Sequence, residues 1–247
     1  MNFDLITIFP GMFDSPLDES IIKKAREKGL VTISVHDLRD YAEGRHRVTD
    51  DYPYGGGEGM VMKADPIIKA IKAVKEKRKE AKTVLLTPQG EMLNQALIKE
   101  LSQEKSLIII CGRYEGVDER IRLHYVDKEI SIGDYVLTGG ELPAMVLIDA
   151  VARLIPGVVG NEDSVKNDSF YSCLLDYPQY TRPPEIEGKT VPEVLLSGDH
   201  EKIRVWRRRE ALKQTLKKRP DLLREMKLTK EDRSILDEIG TAQERNN

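Results

Sequence analysis

The chain has 247 residues, 40% of them hydrophobic and 33% charged, with a formal net charge of −3. That supply of apolar side chains supports a packed core, and charges of mixed sign exclude a disordered chain. The acidic balance also excludes a uniformly basic nucleic-acid binder, so any such contact must come from a local patch. Two cysteines, Cys111 and Cys173, lie outside any C-x-x-C spacing and point to a reducing compartment without a disulfide framework. The N-terminal MNFDLITIFPG has no basic region before its apolar run, and no stretch approaches ~20 apolar residues. A cytoplasmic protein without a membrane partner is expected, with one large domain or one domain plus an appendage.

In chain order, residues 3–9 predict a buried strand ended by Pro10 and Gly11, residues 18–28 a helix and residues 30–36 a second strand. Strand, helix, strand implies a parallel α/β unit. Residues 38–62 predict a long polar loop containing YGGGEGM (54–60). The G-x-G-x-x-G test fails there because Gly57 and Gly59 are followed by Met62, and no strand is expected before it, so a surface turn is the plain reading. Residues 65–80 predict a lysine-rich amphipathic helix whose charges form a solvated face. Then come a strand (83–88), a helix (91–103), a strand (107–111), a short helix (118–124) and a strand (129–132). The alternation predicts an α/β fold: a mostly parallel sheet with helices on both faces.

The helix expected over 141–155 is apolar nearly all round, which suits a core or a subunit interface. Asp149 and Arg153, at i and i+4, read as a salt bridge on one face. Residues 156–170 are polar and glycine-bearing, as in an interdomain linker. Beyond about residue 171 a separate region begins. Its helix over 202–219 holds nine Lys or Arg against one acid, Glu210, with Ile203, Trp206, Leu212 and Leu216 able to pack one side. RNA phosphate contact and a plain solvated face both fit that charge run. A last helix is expected over 229–239.

The chain is organised around residues 111–145, CGRYEGVDERIRLHYVDKEISIGDYVLTGGELPAM, where a buried strand runs into a glycine-bearing turn. Open α/β sheets hold ligands at such places. Several standard sites are excluded. EGKT (187–190) lacks the upstream glycine of a P-loop, where Pro183 stands. The four histidines show no metal spacing, and no G-x-S-x-G hydrolase motif is present.

GRYEG (112–116) and SIGDYVLTGGELPA (131–144) resemble the signature segments of the bacterial tRNA (guanine-N1)-methyltransferase family, TrmD, of the SPOUT class. LLTPQG (85–90) resembles the family's first cofactor loop. DDYPYGGGEGMVMK (50–63), DSFYSCLLDYPQYTRP (168–183) and the tract from VPEVLLSGDH into IRVWR also match, so the likeness covers nearly the whole chain in order. It implies a deep trefoil knot at the cofactor site, which ordinary topology rules would never propose. It also implies a knotted α/β domain over 1–160, a linker over 161–170 and a small, mainly helical tRNA-binding domain over 171–247.

The resemblance implies transfer of a methyl group from S-adenosylmethionine to N1 of the guanosine 3′ of the anticodon, position 37. Leu86, Pro88 and Gln89 would hold the cofactor in the first loop, with Gly112, Tyr114 and Gly116 in the second. Ile132, Gly133, Asp134, Tyr135, Val136, Leu137, Gly139 and Gly140 would hold it in the third. N1 of guanine carries a proton and is a poor nucleophile until a general base removes it. By resemblance Asp168 is that base, Arg153 is the cation that meets negative charge building on O6, and Glu115 reads the guanine edge. Gly59, Arg204, Arg207 and Arg208 would contact the RNA. The resemblance further implies a homodimer with shared active sites. A Mg2+ ion is compatible with this chemistry, but no residue pattern shows one. The competing expectations are a SPOUT enzyme acting on ribose or rRNA, and a non-catalytic nucleotide- or RNA-binding module.

Overall fold

Strands apolar on both faces build the central sheet, because each face is covered by a core. In the computed structural model, which describes residues 1–14, 16–160 and 168–244, the chain divides into two compact units, Met1–Glu162 and Asp163–Asn247. The first unit runs β1 (Asn2–Thr7), α1 (Ser20–Glu27), β2 (Thr32–Asp37), β3 (Asp50–Asp51), β4 (Val61–Met62), α2 (Ala64–Lys77), β5 (Lys82–Met92), α3 (Gln95–Leu101), β6 (Ser106–Cys111), α4 (Glu119–Tyr125), β7 (Lys128–Ser131) and α5 (Glu141–Ala152). Five strands form one sheet in the order β2-β1-β6-β5-β7, every neighbouring pair parallel. Side chains of successive residues point to opposite faces. Phe3, Leu5, Val84, Leu86, Leu107, Ile109, Cys111 and Ile130 therefore face a core that includes residues of α1, α3 and α5. Ile6, Leu85, Ile108 and Ile110 face the other core, which includes residues of α2 and α4. Asp4, on the second face, is fully buried; it accepts from Arg78 Nη1 at 2.5 Å and pairs with His36 Nε2 at 2.9 Å. Pairing offsets the cost of burying its charge.

The second unit contains β8 (Glu185–Ile186), β9 (Lys189–Thr190), α6 (Glu193–Leu196), α7 (His200–Lys218), α8 (Pro220–Glu225) and α9 (Lys230–Glu244). Leu174, Ala211, Leu212, Ile235 and Ile239 form its small core.

Several sequence expectations are corrected. The helix expected over 91–103 is only Gln95–Leu101, because β5 continues through Met92 and Leu93 N–H donates to Ser131 O at 2.8 Å. Asn94 then caps the helix, accepting from Leu97 N–H at 3.0 Å. The expected loop 38–62 contains a short 3-10 helix, Leu38–Tyr41, and its glycine run is bracketed by an antiparallel pair, Asp50↔Met62 and Asp51↔Val61. A strand does therefore precede those glycines. The helix from Glu141 ends at Ala152 rather than at 155. Most of the expected linker, residues 161–167, lies outside the described residues.

Candidate functional site

The carboxyl ends of three neighbouring strands, β6, β5 and β7, open into one cleft of about 480 Å3. Its first wall is a large bulge in β5. Both Leu86 and Glu91 face Ile130 of β7, so the four residues Thr87–Gly90 are extruded between them. A Cβ on Gly90 would fall on the backbone of Ile130, so β5 can rejoin β7 this closely only with glycine at that position. Leu86, Pro88 and Gln89 line the cleft.

The second wall is the turn after β6. Gly112, Tyr114, Glu115 and Gly116 line the cleft. Tyr114 sits at φ 59° and Gly116 at φ 120°. A tyrosine in the left-handed region carries strain that the surroundings must hold, a common feature of ligand sites. The hold is visible: Glu115 N–H donates to Met60 O at 3.0 Å, and Met62 N–H donates to Gly116 O at 2.9 Å. This ties the turn to the glycine-rich segment that ends in β4. A Cβ on Gly59 would strike the Glu115 side chain, so these two residues touch.

The third wall is the stretch between β7 and α5. Ile132, Gly133, Tyr135, Val136, Leu137, Gly139 and Gly140 line the cleft, whereas Asp134 is exposed and outside the lining. Gly140 N–H donates to Gly112 O at 2.8 Å. A Cβ on Gly140 would lie 2.7 Å from Cys111 Cα and 2.9 Å from the Gly112 nitrogen, so two backbone segments pass where no side chain fits.

No pattern in the sequence singles out Arg113, yet it joins the second and third walls. Its Nε donates to Glu141 Oε2 at 2.9 Å and its Nη1 to Thr138 O at 3.1 Å. The guanidinium also lies 4.5 Å from the Phe9 ring centroid. Glu141 is fully buried and accepts a second bond from Thr7 Oγ1 at 2.7 Å, so its charge is paired on both oxygens. The motif CGRYEG displays Arg113, but its partner lies 28 residues away and no local spacing announces it. Cys111, the last residue of β6, is buried, and burial followed by the nearby Glu141 charge pushes its thiol well above the usual range. It stays protonated and is no nucleophile.

Of the other candidates, Arg153 caps the end of α5, its N–H donating to Asp149 O at 3.2 Å. Asp168 belongs to the second unit, where it lines a cavity of about 450 Å3 together with Arg204, Arg207 and Arg208. The basic helix is not a uniform cationic face. Arg204 Nη2 bonds Glu201 at 2.9 Å and Glu231 at 2.8 Å. Arg208 holds Asp232 by two bonds, 2.6 and 2.9 Å, and Arg209 bonds Glu238 at 2.6 Å. Arg207 instead lies 5.0 Å from the Tyr177 ring centroid. Among the described residues no group of three or more His, Cys, Asp or Glu could hold a metal ion, and no helix is long and apolar enough to cross a membrane.

A family profile described as "tRNA (Guanine-1)-methyltransferase TrmD" matches residues 1–225. A protein of Dictyoglomus turgidum named tRNA (guanine-N(1)-)-methyltransferase is 57% identical over 239 residues, 97% of this chain and 96% of the relative. Proteins of the same name from Geotalea uraniireducens and Dehalococcoides mccartyi are 57% and 54% identical, each match covering 97% of both chains.

Proposed function

The chain belongs to the tRNA (guanine-1)-methyltransferase TrmD family, and from that premise we propose that it methylates N1 of the guanosine 3′ of the anticodon in tRNA, position 37, with S-adenosylmethionine as donor. The observation that carries the reading is the cleft at the ends of β6, β5 and β7. Its walls bring together three backbone turns that carry Gly112, Gly116, Gly133, Gly139 and Gly140, and its volume of about 480 Å3 falls within the ~300–1,000 Å3 of small-molecule sites. Such walls fit a ligand with an adenine edge, which takes backbone donors and acceptors, and a ribose that glycine allows to approach the backbone closely. Pro88, Gln89, Gly112 and Gly140 would hold it, together with the segment from Ile132 to Leu137. When bound, S-adenosylmethionine supplies an electrophilic methyl group on a sulfonium.

The chain's own residues handle the acceptor. Asp168 takes the N1 proton, which turns a poor nucleophile into a competent one. Arg153 offsets the negative charge that then gathers on O6. Glu115, held against Gly59, accepts from the donor edge of guanine. These roles rest on the family likeness of the segments that carry them. So do the trefoil knot, the tRNA-binding role of the C-terminal unit and a cytoplasmic site of action. The protein acts as a homodimer in which Asp168 serves the cleft of a second copy. Leu142 and Val146 on α5 support that arrangement: each is 48% exposed, on the one face of the helix that also exposes Asp149. Solitary exposed apolar side chains are ordinary, but two on one face suit a subunit contact.

Primer extension on tRNA treated with enzyme and donor tests the reading. A stop at position 37 is expected, because N1 methylation blocks Watson–Crick pairing. A methylated ribose, or a modified base elsewhere, overturns it.

A further inference from the structure

A second cleft, of about 1,010 Å3, lies wholly within the C-terminal unit and plays no part in the chemistry above. Three aromatic rings line it: Tyr177, Tyr180 and Trp206. Tyr180 and Trp206 are 6.3 Å apart at 53°, a tilted pair rather than a closed stack. Tyr180 remains 49% exposed, so part of its ring is open to a ligand. Two arginines line the same cleft, Arg182 and Arg207, and no carboxylate does. The contrast with their neighbours on α7 is specific. Arg204, Arg208 and Arg209 are each held by an acid of α9, whereas Arg182 and Arg207 form no ion pair among the described residues. The cations left unspent on this unit thus include two beside its exposed aromatic surface.

We infer that this cleft binds an unpaired nucleotide of the RNA substrate, its base stacked on Tyr180 and Trp206 and its phosphate held by Arg182 and Arg207. Aromatic faces accept any base, and base–aromatic stacking is the usual way proteins grip unpaired RNA. A guanidinium meets phosphate through two parallel bonds. Charge selects among occupants: an apolar peptide would leave both arginines unanswered, and an acidic peptide would leave the rings unanswered. A nucleotide answers both. The inference rests on the reading of the chain as an RNA-modifying enzyme, and it adds a contact outside the cofactor cleft.

Trp206 is the one tryptophan in the chain, so its emission reports on this cleft alone. The full-length protein is titrated with tRNA, with single-stranded oligouridylate and with a blunt RNA duplex of equal length, while anisotropy of a labelled RNA follows binding independently. Emission should be quenched by tRNA and by oligouridylate at the concentrations at which each binds, and left unchanged by the duplex. Tyr180→Ala should weaken tRNA about tenfold and raise KM for tRNA, with kcat and S-adenosylmethionine affinity unchanged. Trp206→Phe should keep wild-type affinity. Arg182→Ala and Arg207→Ala should each lower the salt slope of tRNA binding by about one. Full tRNA binding with unchanged emission, or Tyr180→Ala with wild-type tRNA affinity, overturns the inference; a purely apolar partner surface would give that result. The outcome is separable from the function reading. Position-37 methylation without quenching sinks the cleft alone, and quenching by RNA without N1-methylguanosine sinks the methyltransferase reading alone.

Discussion

Changes of a few atoms at Gly140 and Asp168 test the proposed site directly. A methyl group on Gly140 would press on Cys111 Cα at 2.7 Å, and neither backbone can retreat, because Gly140 N–H is bonded to Gly112 O. Gly140→Ala should therefore weaken S-adenosylmethionine binding by about tenfold or more, the cost of overpacking a tight site. Isothermal titration measures this, and an unchanged affinity would remove Gly140 from the cofactor wall. Asp168→Asn keeps the shape but cannot accept a proton at neutral pH. Single-turnover methyl transfer should fall by about 10²-fold or more, with cofactor affinity intact. Near-normal turnover would move the role to another carboxylate. Arg113 belongs at this scale too. Its partner Glu141 is buried, so loss of the guanidinium would strand a charge inside the cleft wall.

Among the elements, α7 and α9 are joined by arginine–carboxylate pairs, and one of them is measurable by pH. Asp232 is buried and its carboxyl is lowered to about 2, chiefly by the Arg208 hydrogen bonds, against burial, with help from the Thr229 amide. Thr229 and Asp232 also cap the start of α9 reciprocally, at 2.9 and 3.1 Å. An unfolded aspartate titrates near ~3.9. The folded pKa is the lower one, so the pair's contribution is full above about pH 4 and is lost as pH falls toward 2. The amount is on the order of 2–3 kcal/mol, most of it lost between pH 4 and 2. Urea unfolding followed by Trp206 emission should show the C-terminal unit losing that increment between pH 4 and 2. In Asp232→Asn the loss over that window should be smaller. Equal acid sensitivity in both proteins would deny the pair its role. The same geometry makes Arg208→Ala a stability variant first, because it strands a buried carboxylate at a cost of about 3 kcal/mol. A weakened tRNA affinity in that variant would therefore say little about phosphate contact.

For the whole molecule, the decisive test is whether one active site draws on two chains. An Asp168→Ala chain and a Gly140→Trp chain should each be inactive alone. If sites are shared, mixed dimers pair the intact cofactor wall of the first chain with Asp168 of the second, and up to one site per heterodimer recovers. Methyl transfer by the mixture, with heterodimers verified by mass, checks this. Verified heterodimers that show no recovery would place each site within a single chain.

The sequence by itself determined the family and the layered α/β plan, because both rest on local patterns. Continuous apolar runs such as Leu107–Cys111 read directly as buried strands of a parallel sheet, and GRYEG and SIGDYVLTGGELPA are contiguous. The likeness of those segments to the family's also pointed to Gly112, Gly133 and Gly140, which line the cleft. Only the tertiary structure decided that β5 continues past Pro88, because the strand is completed by Ile130 and Ser131 of β7, about forty residues on. Only it revealed the Arg113–Glu141–Thr7 network, whose members are 28 and 134 residues apart. And only it divided the basic helix into arginines held by α9 and one, Arg207, that faces an aromatic cleft. Charge counted along a chain says how many cations there are; which of them are already neutralised depends on what folds against them.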